Sequence, residues 1–132
     1  MIIDTSAIIA ILRNEREAAF CARAIADANN RRVSAVNYVE AAVVIDASDD
    51  PIASRRFDEF VKMAQISIEA VTQTHAQIAR NAYRDFGSGS GHPAKLNFGD
   101  CFAYALAKSM DEPLLFKGND FIHTDITSVA AT

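Results

Sequence analysis

The chain has 132 residues, 50% of them hydrophobic and 23% charged, which is enough for one sizeable core and too little for two. This apolar fraction excludes a disordered chain, five Gly and three Pro exclude a fibrous one, and no apolar run is long enough for a membrane span. A balance of 13 basic against 17 acidic residues, net −4 and pI ≈ 5.3, argues against a protein that coats nucleic acid by bulk charge.

In chain order, Ile2-Ile3 reads as a very short buried strand reaching Asp4, and Ala7 to Leu12 as a helix after it. A second helix is expected over Glu15 to Ala28, with Ala18, Cys21, Ala22 and Ile25 on one face. Asn29-Asn30-Arg31-Arg32 forms a polar turn, and Val33 to Val36 the next strand. Asn37 is expected to cap a helix running through Ala47. Asp50-Pro51 starts another, burying Ala53, Phe57, Phe60, Val61 and Ala64. Ile66 to Val71 reads as the third strand, and Thr74-x-x-Gln77 as a capping box. The helix that follows carries the stripe Ala79, Ala82, Tyr83 and Phe86. Gly87 to Pro93 is a flexible loop. Asn97 caps a helix to about Met110, with Phe98, Cys101, Phe102, Ala105 and Leu106 on one face. Leu114 to Phe116 is the fourth strand, Lys117 to Asp120 a turn, and Ile126 to Val129 a small fifth strand.

Short apolar strands alternating with amphipathic helices specify an α/β domain whose parallel sheet is covered on both faces. One such domain spans residues 1–132. Cys21 and Cys101 form no Cys-x-x-Cys pair and are expected as reduced, buried thiols of a cytoplasmic protein. The acid in Met1-Ile2-Ile3-Asp4 stands where a signal peptide carries positive charge, so secretion is not expected.

In sheets of this class, ligands bind beyond the carboxyl ends of the strands. Asp4 follows the first strand, Glu40 opens the helix after the second, and Asp120 follows the fourth; all three belong on that edge. Asp100, at the start of the helix before the fourth strand, joins them if the Gly-Ser loop returns the chain to the same side. Each acid also has a structural reading. Asn37-x-x-Glu40 and Asn97-x-x-Asp100 have capping-box spacing, Asp4 fits a cap, and Asp120 fits a turn. Together they are harder to explain that way, because four carboxylates at one edge repel one another by a few kcal/mol at short range. Only Lys117 stands near enough in sequence to offset them. Glu40 also lies in a helix, Val39 to Ile45, that is otherwise apolar all round, where a charge needs compensation. A hard divalent cation, Mg²⁺ or Mn²⁺, supplies it through oxygen ligands. Such an ion stabilises charge on a phosphoryl oxygen and activates water, which is the chemistry of phosphodiester hydrolysis.

The segments Met1-Ile-Ile-Asp-Thr-Ser-Ala7, Asn37-Tyr-Val-Glu40, Gly89 to Ala107 (with Asn97-Phe-Gly-Asp-Cys101 at its centre) and Leu114-Leu-Phe-Lys-Gly-Asn-Asp-Phe121, followed by Thr124-Asp125-Ile126, resemble the PIN-domain ribonucleases. Within these they resemble the VapC toxins of bacterial type II toxin–antitoxin pairs. The resemblance spans essentially the whole chain, with its motifs in order. It implies a flavodoxin-like three-layer α/β/α sandwich, a short and mainly parallel central sheet, a homodimer, an RNA substrate and a cognate VapB-type antitoxin that blocks the site. It also implies an Mg²⁺- or Mn²⁺-binding quartet at Asp4, Glu40, Asp100 and Asp120. Asp4 and Asp100 would be direct metal ligands, Glu40 and Asp120 direct or water-mediated ones, and Ser6 would orient Asp4 or a water.

The glycine-rich loop lacks the Gly-Lys-Ser/Thr ending of a P-loop and reads as a connector, with RNA contact as the alternative. His75, His92 and His123 have no zinc spacing, and of these only His92 lies near the proposed site. The scattered Arg and Lys read as solvated helix faces, some of them forming a local phosphate track with Lys117 as the first candidate. Tyr38 is the least core-like aromatic. The apolar faces of Tyr38 to Ile45 fit either a dimer interface or a fully buried helix. Two other classes compete. A phospho-acceptor domain needs an acid pair after the first strand and an Asp after the third; Asp4 stands alone and the third strand ends in Ala70-Val71. A phosphatase of the Asp-x-Asp type fails at Asp4-Thr-Ser6. A non-catalytic RNA- or protein-binding module on a decayed nuclease fold is opposed by acids at all four positions.

Overall fold

Alternation along two-residue strands sets the layering. The computed structural model describes residues 1–129. Its four strands, β1 (Ile2–Ile3), β2 (Arg32–Ser34), β3 (Ser67–Glu69) and β4 (Leu114–Leu115), form one parallel sheet in the order β3-β2-β1-β4. Ile2 pairs with Leu114 and Ile3 with Leu115. Successive side chains leave opposite faces of a strand. Ile2 and Leu114 accordingly enter one core, with Leu96, Leu106 and Phe121, while Ile3 and Leu115 enter the other, with Ile8, Val33 and Phe57. Two cores on two faces make the three-layer α/β/α sandwich expected from the alternating pattern.

The helices are α1 (Thr5–Leu12), α2 (Ala18–Asp27), α3 (Ala35–Asp46), α4 (Pro51–Met63), α5 (Gln73–Phe86) and α6 (Phe98–Met110). Their starts show local chemistry at work. Asp50 accepts from the Ile52 N–H with Pro51 behind it, and Asn97 accepts from the Asp100 N–H. The end of α6 is closed by Asp111 in the left-handed region, φ 52°. Helix α6 is the most buried, with every residue from Gly99 to Ala107 buried except Phe102, which is half-buried.

Several boundaries differ from expectation, each for a physical reason. Helix α3 begins three residues early because Ser34, not Asn37, caps it, and Asn37 is completely buried inside the first turn. Helix α5 is capped by Thr72 with His75, rather than by Thr74 with Gln77. Helix α2 starts at Ala18, after a turn in which Glu15 N–H bonds to the Ala10 carbonyl. The third strand keeps only Ser67–Glu69 of its expected span. The fifth strand reduces to a single parallel bridge, Leu114 to Ser128. Phe98 and Tyr83 leave their expected stripes: Phe98 stands 70% exposed at the first position of α6. Tyr38 is more core-like than expected, packing on Phe57 with ring centroids 5.6 Å apart. Cys21 and Cys101 are free, buried and in different cores. Among the described residues no helix is long and apolar enough to cross a membrane.

Candidate active site

The sheet order has its switch beside β1: the chain runs outward through β2 and β3, then crosses to β4 on the other side. The carboxyl ends of β1 and β4 flank the crevice that such a reversal creates. Asp4 leaves β1 there, its N–H bonded to the Leu115 carbonyl at 2.9 Å. Ser6 ties the two strand ends together. Its hydroxyl donates to Asp4 Oδ2 at 2.6 Å and accepts from the Lys117 N–H at 2.9 Å, which holds the turn carrying Asp120 against the start of α1.

Both Asp4 and Asp100 do cap helices, as their spacing allowed. Asp4 Oδ2 accepts from the Ser6 N–H at 3.0 Å, and Asp100 Oδ2 accepts from the Asn97 N–H at 3.0 Å. Capping occupies one oxygen of each. Asp4 Oδ1 is buried with no hydrogen-bond partner among the described residues. Glu40 has no such structural role: with the cap at Ser34 it lies in the second turn of α3, beyond capping reach. Its Oε1 accepts from the Thr5 hydroxyl at 2.5 Å. Asp120 sits exposed in the turn after β4.

Burial and neighbouring charge act together on Asp4 and Asp100. Burial pushes Asp4 up to about 6, against the pull of its Ser6 hydrogen bonds, and Glu40 adds to the rise. Burial pushes Asp100 up to about 7, with further raising by Asp4, Asp120 and Glu40. Glu40 lies directly against Gly99 in the first turn of α6, and Asn37 bonds the Gly99 carbonyl at 3.0 Å. The Gly-Ser loop therefore does return α6 to the strand-end edge, closed by a parallel bridge between Gly87 and Leu96. Lys117 does not neutralise the cluster: its ammonium is held by Glu15 at 3.0 Å and Glu17 at 3.8 Å. His92 is committed elsewhere, its ring edge-on to Phe86 and its Nδ1 accepting from the Ala94 N–H.

Among the described residues, no three His, Cys, Asp or Glu side chains gather tightly enough to enclose an ion; Asp4 and Asp100 each keep a bond to the start of their own helix, and Glu40 is held by Thr5. The donor set nonetheless fits a hard dication. It is all carboxylate, partly desolvated, without a neutralising cation, and includes one buried oxygen lacking a partner.

Three residues that shape this region escaped sequence reasoning. Thr5 holds Glu40. Asn37 bonds both Thr5 and the Gly99 carbonyl. Gly99 makes room, because a Cβ built there would overlap both carboxylate oxygens of Glu40. Two signals were available: a Gly in the first turn of an otherwise Ala-rich helix, and a Ser three residues ahead of Asn37.

The PIN domain family model matches residues 1–126. The chain is 57% identical over 126 residues to the ribonuclease VapC28 of Mycobacterium tuberculosis, covering 96% of this chain and 95% of that protein. It is 45% identical over 130 residues to ribonuclease VapC30 of the same organism, covering 98% of each. The chain belongs to the PIN-domain family and, within it, to the VapC branch. Among solved structures, the sarcin-ricin-loop-cleaving toxin VapC20 of M. tuberculosis superposes with a TM-score of 0.76 at 15% identity over 98% of both chains. A toxin–antitoxin complex from Klebsiella pneumoniae matches at TM-score 0.67 and 18% identity, over 91% of this chain and 88% of that one. These two likenesses establish the fold.

Proposed function

We propose that this chain is a metal-dependent endoribonuclease, the toxin of a toxin–antitoxin pair, working in the cytoplasm as one PIN unit and silenced by a VapB-type antitoxin. The observation that carries the reading is that Asp4 and Asp100, from separate chain segments, are both buried with raised carboxyls, Asp4 Oδ1 has no hydrogen-bond partner among the described residues, and Glu40 lies against Gly99 beside Asp100. The relatives named as VapC ribonucleases support it. Mg²⁺ or Mn²⁺ held by Asp4 and Asp100 would offset the charge of the phosphodiester and make water a competent nucleophile at neutral pH. Ser6 fixes Asp4 Oδ2 and leaves Oδ1 for that ion. Glu40, steadied by Thr5, orients the attacking water and takes up its proton. Asp120, exposed in the turn after β4, is open to an arriving RNA. The test is cleavage of RNA by the purified chain with Mg²⁺ or Mn²⁺ and with chelator. Cleavage that chelator stops is expected; a chain that leaves RNA intact under both conditions overturns the proposal in favour of a binding module.

Gly99→Ala tests the crevice from within. Alanine favours a helix over glycine by about 1 kcal/mol, so α6 itself should not suffer. Its methyl claims the space of the Glu40 carboxylate. The expected result is an unchanged circular dichroism spectrum with cleavage reduced at least tenfold; full activity would remove Glu40 from its assigned place.

A homodimer accompanies the proposal. Val39 and Val43 stand 55% and 60% exposed on one face of α3. The sequence left a dimer interface or a buried helix open there, and the face is not buried within the chain. Light scattering is expected to give twice the 14.3 kDa chain mass, and Val43→Asp to give the monomer. A strictly monomeric wild type would end the idea.

A further inference from the structure

We propose that Asn37 is a positioning residue that directs the Thr5 hydroxyl onto Glu40, through the relay Asn37 amide to Thr5 hydroxyl to Glu40 carboxylate. Asn37 is fully buried within the first turn of α3, where an apolar side chain would pack at lower cost. Its Nδ2 donates twice, to the Gly99 carbonyl at 3.0 Å and to Thr5 Oγ1 at 3.2 Å. The amide has one sensible orientation, because turning it over would set Oδ1 against the Gly99 carbonyl. In the orientation adopted, Oδ1 is buried with no partner among the described residues, an arrangement that costs about 1–3 kcal/mol. Fold stability alone does not explain an asparagine kept at that cost.

The relay explains it. The Thr5 hydroxyl has one proton and two acceptors in reach, the Asn37 carbonyl at 3.2 Å and Glu40 Oε1 at 2.5 Å. An incoming bond from Asn37 Nδ2 fills an oxygen lone pair of Thr5 and polarises its O–H. The proton then goes to the nearer, charged acceptor. The other Nδ2 bond ties the relay to Gly99, the residue whose missing side chain leaves room for the same carboxylate. One amide thereby links the starts of α1, α3 and α6 around Glu40.

The purpose of this arrangement rests on the nuclease reading, but the resonances that decide it are read without metal or RNA. In ¹³C-labelled, metal-free protein, Asn37→Leu is expected to move the Glu40 carboxyl resonance in the same direction as Thr5→Val. The double variant should move it no further, and Thr5→Ser should keep the wild-type position. A Glu40 resonance that ignores Asn37→Leu, or shifts that add independently, overturns the relay. If Asn37→Leu does not fold, Thr5→Val decides alone. One of the two Asn37 amide protons should move upfield while its Gly99-bonded partner stays, and two unmoved protons would contradict the proposal. A wild-type chain that cuts no RNA sinks the function, while these resonances still decide the relay.

Discussion

Replacing Asp100 with Asn is expected to abolish RNA cleavage, by at least a thousandfold, while leaving the fold intact. The two consequences separate because Asp100 does two jobs with different atoms and charges. Its capping bond, Oδ2 accepting from the Asn97 N–H, needs only an acceptor oxygen, which Asn retains. Its contribution to the crevice needs a negative charge, which Asn lacks. The lost charge also removes a repulsion felt by Asp4, Glu40 and Asp120, so the metal-free variant should melt above wild type at pH 8. Gel assays with structured and single-stranded RNA, alongside thermal melts, check both halves. An active variant would take Asp100 out of the chemistry, and an unfolded one would reduce it to a helix cap.

The second large effect is on stability against pH. Asp4 rises from 3.8 to about 6 and Asp100 from 3.8 to about 7 on folding. Burial is the first cause in both. The native state therefore binds protons more tightly than the unfolded chain between pH 4 and 7, and stability falls as pH rises through that window. For fully buried Asp4 the loss is worth about 3 kcal/mol by neutral pH. Asp100 adds to the loss in the same direction. At roughly 3–6 °C per kcal/mol for a chain of this size, the metal-free melting midpoint should drop by about 10 °C or more between pH 4.5 and pH 8. Millimolar Mg²⁺ or Mn²⁺ should recover most of that loss at pH 8, where the carboxylates are charged, and little at pH 4.5, where protons hold them. A pH-independent midpoint, or equal metal effects at both pH values, would contradict a charged crevice waiting for a cation.

The layers of the fold were readable because β1 and β4 are short and wholly apolar, and the strands alternate along the chain with capped helices. The pairs Ile2-Ile3 and Leu114-Leu115 fill both cores and leave no polar alternative face. Helix ends were less readable where two caps compete: Ser34 and Asn37 both fit, as do Thr72 and Thr74, and tertiary packing chose between them. Packing also decided Phe98 and Tyr83, whose helical phase matches a stripe that the neighbouring elements do not cover. The four acids stood out in the sequence because carboxylates at strand ends are costly to gather. Their supports did not. Thr5, Asn37 and Gly99 act across contacts between α1, α3 and α6, and local spacing carries no trace of a bond spanning 62 residues.

A crystal grown without metal and soaked in Mn²⁺ tests the central claim most directly. An anomalous peak is expected in the crevice between Asp4 and Asp100, about 2.2 Å from an oxygen of each, with Asp4 Oδ1 among its ligands. A fully soaked crystal with no peak there, and with Asp4 Oδ1 still lacking a partner, would contradict the metal-dependent account.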